Sequence, residues 1–360
     1  MSVADLPQHP ARIILVNPTR YLGNLLIAGR LIQEFAAWCA ARNITFRLVV
    51  DAGYAELLAL ALPPEVLIPY PRRQIKQSSG LRKLQIYLQC LRQIRAFRAD
   101  IAFNIEEDSV SHRLTQLSGA KFRLGCSSTR HGFGYNHVVP VNFAARPAEQ
   151  QHRWYSFQEV FAALGLPPSQ PGYLRLPQEP LSTQLQSHLQ ALGVDTSKQQ
   201  VVLHAGATKA YKKWPQQYFA ELCQALCREG RQLVFIGAGQ DAEEIAAVLA
   251  LVPQPHTGIV NLCNQLSLAE LAQYFGSVSA IVGNDSGPFH LAAAKGVPGL
   301  VIFGPTSVAL WGPLSPTASV LKSSEVCSAE CTKHQCVHQH RCLTSITPRQ
   351  VLDQLAPILR

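Results

Sequence analysis

Short apolar runs alternate with stretches of helical periodicity along most of this chain. Arg12–Val16 (RIILV) reads as a strand that Asn17-Pro18-Thr19 ends. Leu22-Gly23-Asn24 then leads into an apolar-periodic helix, expected over roughly Leu25–Ala41. Phe46–Val50 is a second strand-like run and Ile101–Ile105 another, followed by a helix from Ser109 to Leu117. Periodicity fades between Gly125 and Arg153. The rhythm restarts after the proline-rich stretch Leu166–Pro180. Val201–His204, Gln232–Ile236, Ile259–Leu262, Ala280–Val282 and Gly299–Phe303 read as strands. Trp214-Pro215 opens a helix with Phe219, Leu222, Leu226 and Cys227 on one face, and helices follow at Asp241–Leu251 and Leu268–Phe275. Strands and helices alternating at this period predict an α/β chain with parallel sheets. The expected organisation is two doubly wound domains, 1–170 and 186–325, a proline-rich linker at 171–185 and a tail at 326–360.

Composition narrows the class. Of 360 residues 47% are hydrophobic, which excludes a disordered chain, and ten cysteines at this length exclude a small disulfide scaffold. No run approaches the length of a membrane span, and Met1–Arg12 has no apolar signal-peptide core. These features lead us to expect a cytoplasmic protein with reduced thiols. The formal net charge is +9, from 32 Lys+Arg against 23 Asp+Glu. Such a balance points to an anionic partner without choosing one.

In parallel sheets ligands bind beyond the carboxyl ends of the strands. Three segments there carry chemistry. Gly283-Asn284-Asp285-Ser286-Gly287-Pro288-Phe289-His290 joins a strand to a helix that Gly296 can stop. Asp285 or Ser286 can cap that helix, and the N–H groups of Ser286, Gly287 and Phe289 can meet an anion. The plain alternative is an ordinary capped helix. His204-Ala205-Gly206-Ala207-Thr208 leads to Lys209, Lys212 and Lys213. A small-residue loop with a hydroxyl and three lysines suits a diphosphate; the plain alternative is a solvated basic loop. Gly304-Pro305-Thr306-Ser307 adds two hydroxyls after a strand, and Gly237-Ala238-Gly239 ends another strand.

HAGATKAYKKWP together with GNDSGPFHLAAAKGVPGLVIFGPTS resembles the family 9 glycosyltransferases, the ADP-heptose:lipopolysaccharide heptosyltransferases and their relatives. RIILVNPTRYLGN, RLTQLSGAKFRLG and the C-terminal cysteine region extend the likeness over nearly the whole chain. The resemblance implies a GT-B architecture of two Rossmann-like domains. The first would bind the acceptor and the second the nucleotide-sugar. It implies that Asp285 and Lys212 meet the donor phosphates, with Thr208 in the matching hydroxyl loop; His204, Gly206, Gly237, Ser286, Gly287, His290 and Thr306 complete the candidate donor contacts. It also implies that Thr347–Leu359 crosses back onto the N-terminal domain. The implied reaction moves a heptose from an ADP-sugar to the lipopolysaccharide inner core with inversion, with no cofactor required for catalysis.

One departure bears on mechanism. The family usually carries Gly-Asp at the end of its first loop, with the Asp as general base; here the pair is Gly23-Asn24. An amide holds a hydroxyl but does not take its proton. Three readings stay open. Another carboxylate acts as base, with Asp51 and the Glu106-Glu107-Asp108 cluster as candidates; the enzyme is slow or uses an unusual acceptor; or the chain is a silent nucleotide-sugar-binding relative.

Cys327, Cys331, Cys336 and Cys342 lie within sixteen residues and could hold a structural Zn or Fe, or be free thiols or disulfide-bonded. Some relatives that glycosylate proteins hold iron this way, so a protein heptosyltransferase is the alternative activity. From Val66 to Ala99 there are eight basic residues and no acid, with Leu81, Leu84, Leu88, Leu91 and Ile94 at helical spacing. This basic amphipathic helix suits the anionic inner face of a membrane, and equally a core-packed helix with a solvated basic side. No nucleic-acid motif accompanies the charge, so no nucleic-acid partner is expected.

Overall fold

The computed structural model describes residues 10–106, 108–126, 134–141, 151–239, 241–253, 258–325 and 336–359. The chain divides into two compact units, Met1–Arg175 and Leu176–Arg360. In the first, β1 (Arg12–Val16), β2 (Thr45–Asp51), β3 (Leu67–Tyr70), β4 (Ile101–Phe103), β5 (Phe122–Cys126) and β6 (His137–Val139) form one sheet in the order β3-β2-β1-β4-β5-β6. In the second, β7 (Gln200–His204), β8 (Gln232–Phe235), β9 (Ile259–Asn261), β10 (Ala280–Asn284), β11 (Gly299–Phe303) and β12 (Ala318–Lys322) take the order β12-β11-β10-β7-β8-β9. Every pairing is parallel. Both sheets therefore reverse direction beside their first strand, between β1 and β4 and between β7 and β10. Those are the switch points where such sheets open to ligands.

Central strands are buried on both faces, so they read as continuous apolar runs. All five residues of β7, β10 and β11 are buried. The strands that sequence pattern alone did not show include three of the four sheet edges, β3, β6 and β12. Edge strands are half solvated, and β3 even tolerates Pro69. The helix Arg153–Ala163, just after the region of faded periodicity, was likewise not expected; Trp154, Phe157 and Phe161 bury one side of it.

The first long helix runs from Leu22 to Ala40, three residues earlier than expected, so Gly23 and Asn24 lie in its first turn rather than in a loop. Leu25, Leu26, Ile32 and Phe35 bury its inner face. The Phe35 ring meets Phe46, Phe103 and Phe161 at 5.3–5.5 Å between centroids. A Cβ at Gly29 would lie 2.5 Å from that of Leu174, so only glycine lets the end of the unit pack here. Gln33 then clips Arg175 on both sides, accepting from its N–H at 2.7 Å and donating to its carbonyl at 3.0 Å.

In the second unit the Lys295 ammonium donates to the Pro177 carbonyl. The C-terminal helix Pro348–Leu355 starts with a reciprocal capping box between Thr347 and Gln350. Its Val351 and Leu355, with Leu359 beyond it, belong to the same core as Phe219, Leu222 and Leu226. This segment's apolar face is thereby buried on the second unit's own core.

Candidate functional site

At the β7/β10 switch point the two motif loops meet. Asn284, at the end of β10 and fully buried, donates to the carbonyls of Ala205 and Gly206 at 2.8 and 3.3 Å. It also accepts the Trp214 N–H at 2.9 Å. One amide thereby fixes the loop after β7 and the entry to the helix Gln216–Arg228. Trp214 is buried, with its indole N–H on the Ile346 carbonyl at 2.8 Å and its ring edge-on to Phe219.

Lys212 Nζ then reaches Asp285 Oδ2 at 2.6 Å, and His290 Nε2 stands 3.8 Å from Oδ1. Burial pushes the Asp285 carboxyl up, but the His290 hydrogen bond and the Lys212 charge outweigh it and hold the group below the ordinary range. Asp285 is therefore an anion that places a lysine and a histidine beside the strand end.

Ser286 takes the N-cap position of the helix Gly287–Ala294, yet its side chain makes no capping bond. Its Oγ lies instead 3.0 Å from His204 Nδ1. With no side-chain cap and Pro288 in the first turn, the helix end keeps positive character for an anion. Gly296, at φ +76, stops the helix as expected.

Sequence reasoning missed Asp241. It begins the helix Asp241–Ala250, accepts the Ala238 N–H at 3.0 Å, and stands 3.7 Å from His204 Nε2. A Cβ on Gly206 would come within 2.1 Å of its Oδ1, and one on Gly237 within 2.7 Å of its Cβ. The close approach at these two glycines is thus to Asp241 rather than to open space. The signal was the adjacent Gly237-Ala238-Gly239, which marks a tight turn into a helix with acids in its first turn. Thr208 is exposed on the loop and Thr306 half-buried after β11. Lys213 is drawn away to Glu244.

The first unit holds a carboxylate site at its own switch point. Thr19, after β1, donates to Glu106, after β4, at 3.0 Å, and both are buried. The Asn24 side chain stands beside the same carboxylate and favours its charged form. Burial raises the Glu106 pKa to about 7, helped by the Asp108 charge and opposed by Thr19, Asn24 and Arg153. Two residues singled out from sequence, Asn24 and Glu106, are therefore partners. Asp51 is committed elsewhere: Oδ2 pairs with Arg72 Nε at 2.6 Å and Oδ1 accepts the Gly53 N–H at 3.0 Å. Asp108 caps the helix Ser109–Leu117 through the N–H groups of Val110 and Ser111. Glu107 lies outside the described residues, as do Cys327 and Cys331. Of the remaining cysteines of that set, Cys342 is buried and Cys336 accepts the His340 N–H at 3.1 Å.

Two units with the same reversed strand order, and an anion-receptive helix end at the switch point of the second, define a GT-B type of protein. Solved structures share that fold across nearly the whole chain. The E. coli ADP-heptose lps heptosyltransferase II superposes with a TM-score of 0.74 at 21% identity, covering 97% of this chain and 98% of that one. A family 9 glycosyl transferase from Veillonella parvula superposes with a TM-score of 0.78 at 19% identity, covering 97% of each. The model of glycosyltransferase family 9 (heptosyltransferase) matches residues 87–341, and the chain belongs to that family. Lipopolysaccharide heptosyltransferase 2 of Salmonella typhimurium is 33% identical over 149 residues, 41% of this chain and 43% of that protein, so this match spans less than half of either. Lipopolysaccharide heptosyltransferase 1 of Pseudomonas aeruginosa is 27% identical over 97% of this chain and 98% of its own length.

Proposed function

We propose that this chain transfers a heptose from ADP-heptose to the inner core of lipopolysaccharide, with inversion at the anomeric carbon. The observation that carries the reading is the cluster of Lys212, Asp285 and His290 beside an uncapped helix end, in a family 9 chain. The diphosphate of the donor would lie on the helix N–H groups and the Ser286 hydroxyl, with Lys212 and Thr208 neutralising and holding it. These groups stabilise the charge that develops as ADP leaves.

Glu106 supplies the base. Its pKa near 7 suits general-base work at neutral pH, and Asn24 stands beside it where the family usually has the acid itself. The carboxylate takes the proton of the acceptor hydroxyl as that oxygen bonds to the anomeric carbon. The bond from that carbon to the diphosphate breaks on the opposite face, and ADP departs with the electron pair.

The site works at the cytoplasmic face of a membrane in this reading. No helix among the described residues is long and apolar enough to cross one. The helix Gly80–Ala96 presents Leu81, Leu84 and Leu88 to solvent, 78%, 52% and 38% exposed, while Leu91 and Ile94 are in the core. Its exposed basic residues lie alongside, in a segment without acids, which suits anionic headgroups. The four C-terminal cysteines stay a proposed structural Zn or Fe site, and the N–H bond to Cys336 suits a thiolate there; elemental analysis of the purified protein tests it.

The decisive assay mixes the protein with ADP-heptose and a lipopolysaccharide core lacking heptose. A product one heptose heavier, with release of ADP, supports the reading. Donor binding without transfer to that acceptor overturns it.

A further inference from the structure

The Ser286–His204–Asp241 chain has chemistry that the transfer reaction does not use. His204 is 2% exposed. Its Nδ1 faces Ser286 Oγ at 3.0 Å, and its Nε2, without a hydrogen-bond partner, faces Asp241 Oδ2 at 3.7 Å. Three protonation states are open to such a ring. With the proton on Nε2, toward Asp241, the Ser286 O–H must donate to Nδ1. The hydroxyl then shows only lone pairs to a ligand, which repels an anion. With the proton on Nδ1, Ser286 is free to donate outward, but the Nε2 lone pair faces the Asp241 carboxylate. Only the imidazolium satisfies both ends. It faces the Asp241 carboxylate as an ion pair on one side and donates to Ser286 on the other, and Ser286 then donates its own proton outward.

We propose that binding of the donor diphosphate is proton-linked: the anion at the head of the helix Gly287–Ala294 draws a proton onto His204, with Asp241 as the positioning residue that stabilises it. The inference rests on the donor reading given above and deepens it. The charged groups around His204 are consistent with this. From the helix Asp241–Ala250 come Asp241 and Glu244, the latter paired with Lys213. From the loop after β7 comes Lys212, already paired with Asp285, and from the loop and helix after β10 come Asp285 and His290. Burial raises the Asp241 pKa, but the nearby His204, the Ala238 N–H and Lys213 outweigh it, so the carboxylate is an anion at neutral pH. His290 faces Asp285 rather than Asp241.

Calorimetry with ADP in buffers of different ionisation enthalpy counts the protons taken up. At one pH the observed enthalpy should vary with buffer in the direction of uptake, and affinity should weaken by up to about tenfold per pH unit as pH rises. Asp241→Asn keeps the shape that Gly206 and Gly237 pack against and should remove most of the uptake, as should His204→Gln. Equal enthalpies in all buffers for the wild type overturn the proton linkage while leaving the donor site standing. Uptake unchanged in Asp241→Asn, or in His204→Gln, overturns the assignment to His204. Absence of any ADP binding removes the donor reading and this inference with it.

Discussion

Glu106 concentrates the chemistry of the first unit in one side chain. The folded state holds its proton up to about pH 7, against an ordinary value of 4.5. Between those values the folded protein binds more protons than the unfolded chain, so stability falls as pH rises through that window. Glu106→Gln should therefore raise the unfolding free energy at pH 8 by about 3 kcal/mol, read by denaturant titration, and change it little at pH 4. Its turnover should drop about 10²–10⁴-fold, and the wild-type rate should climb with pH through an inflection near 7. A variant with unaltered turnover removes Glu106 as the base. Asn24→Asp puts a second carboxyl against the first, so the pair should share a proton and the rise in rate should split into two steps. A pH–rate profile identical to wild type would show that the two side chains are not coupled.

At the scale of elements, two devices set the second site. Asn284 joins the loop after β7 to the loop before the helix Gln216–Arg228, and the uncapped helix Gly287–Ala294 aims its positive end at the same place. The C-terminal helix Pro348–Leu355 closes the core behind them. Val351 and Leu355 are fully buried, so Leu355→Ala should cost about 2–5 kcal/mol, read by denaturant titration. A loss under about 0.5 kcal/mol would mean that the helix is not docked on this core.

Over the whole molecule the +9 charge is unevenly placed. Eight basic residues fall in the acid-free segment from Val66 to Ala99, where the exposed leucines also lie. Leu81→Gln together with Leu84→Gln should weaken flotation with vesicles containing anionic lipid. Raising the salt should weaken wild-type binding too, because exposed charges are screened beyond about 8–10 Å. Flotation indifferent to both changes would discard the membrane contact.

Much of this was legible along the chain. Buried parallel strands announce themselves as apolar runs, so β1, β2, β7, β8, β10 and β11 and the loops that follow them could be placed from sequence, and the diphosphate loop with them. Edge strands β3, β6 and β12 could not, because half-solvated residues leave no run to see. Local sequence also determined the helix after β10, its stop at Gly296 and the absence of an acid at position 24. Only tertiary structure decided what those residues do. Asn24 and Glu106 are 82 positions apart and become partners because β1 and β4 are neighbours in the sheet. His204 meets Ser286 because β10 pairs with β7, and Asp241 because β8 pairs with β7 on its other side. Periodicity encodes which face of an element is buried. The proximity of side chains from different strands, and the pKa that burial imposes on them, exist only once the sheet has chosen its strand order.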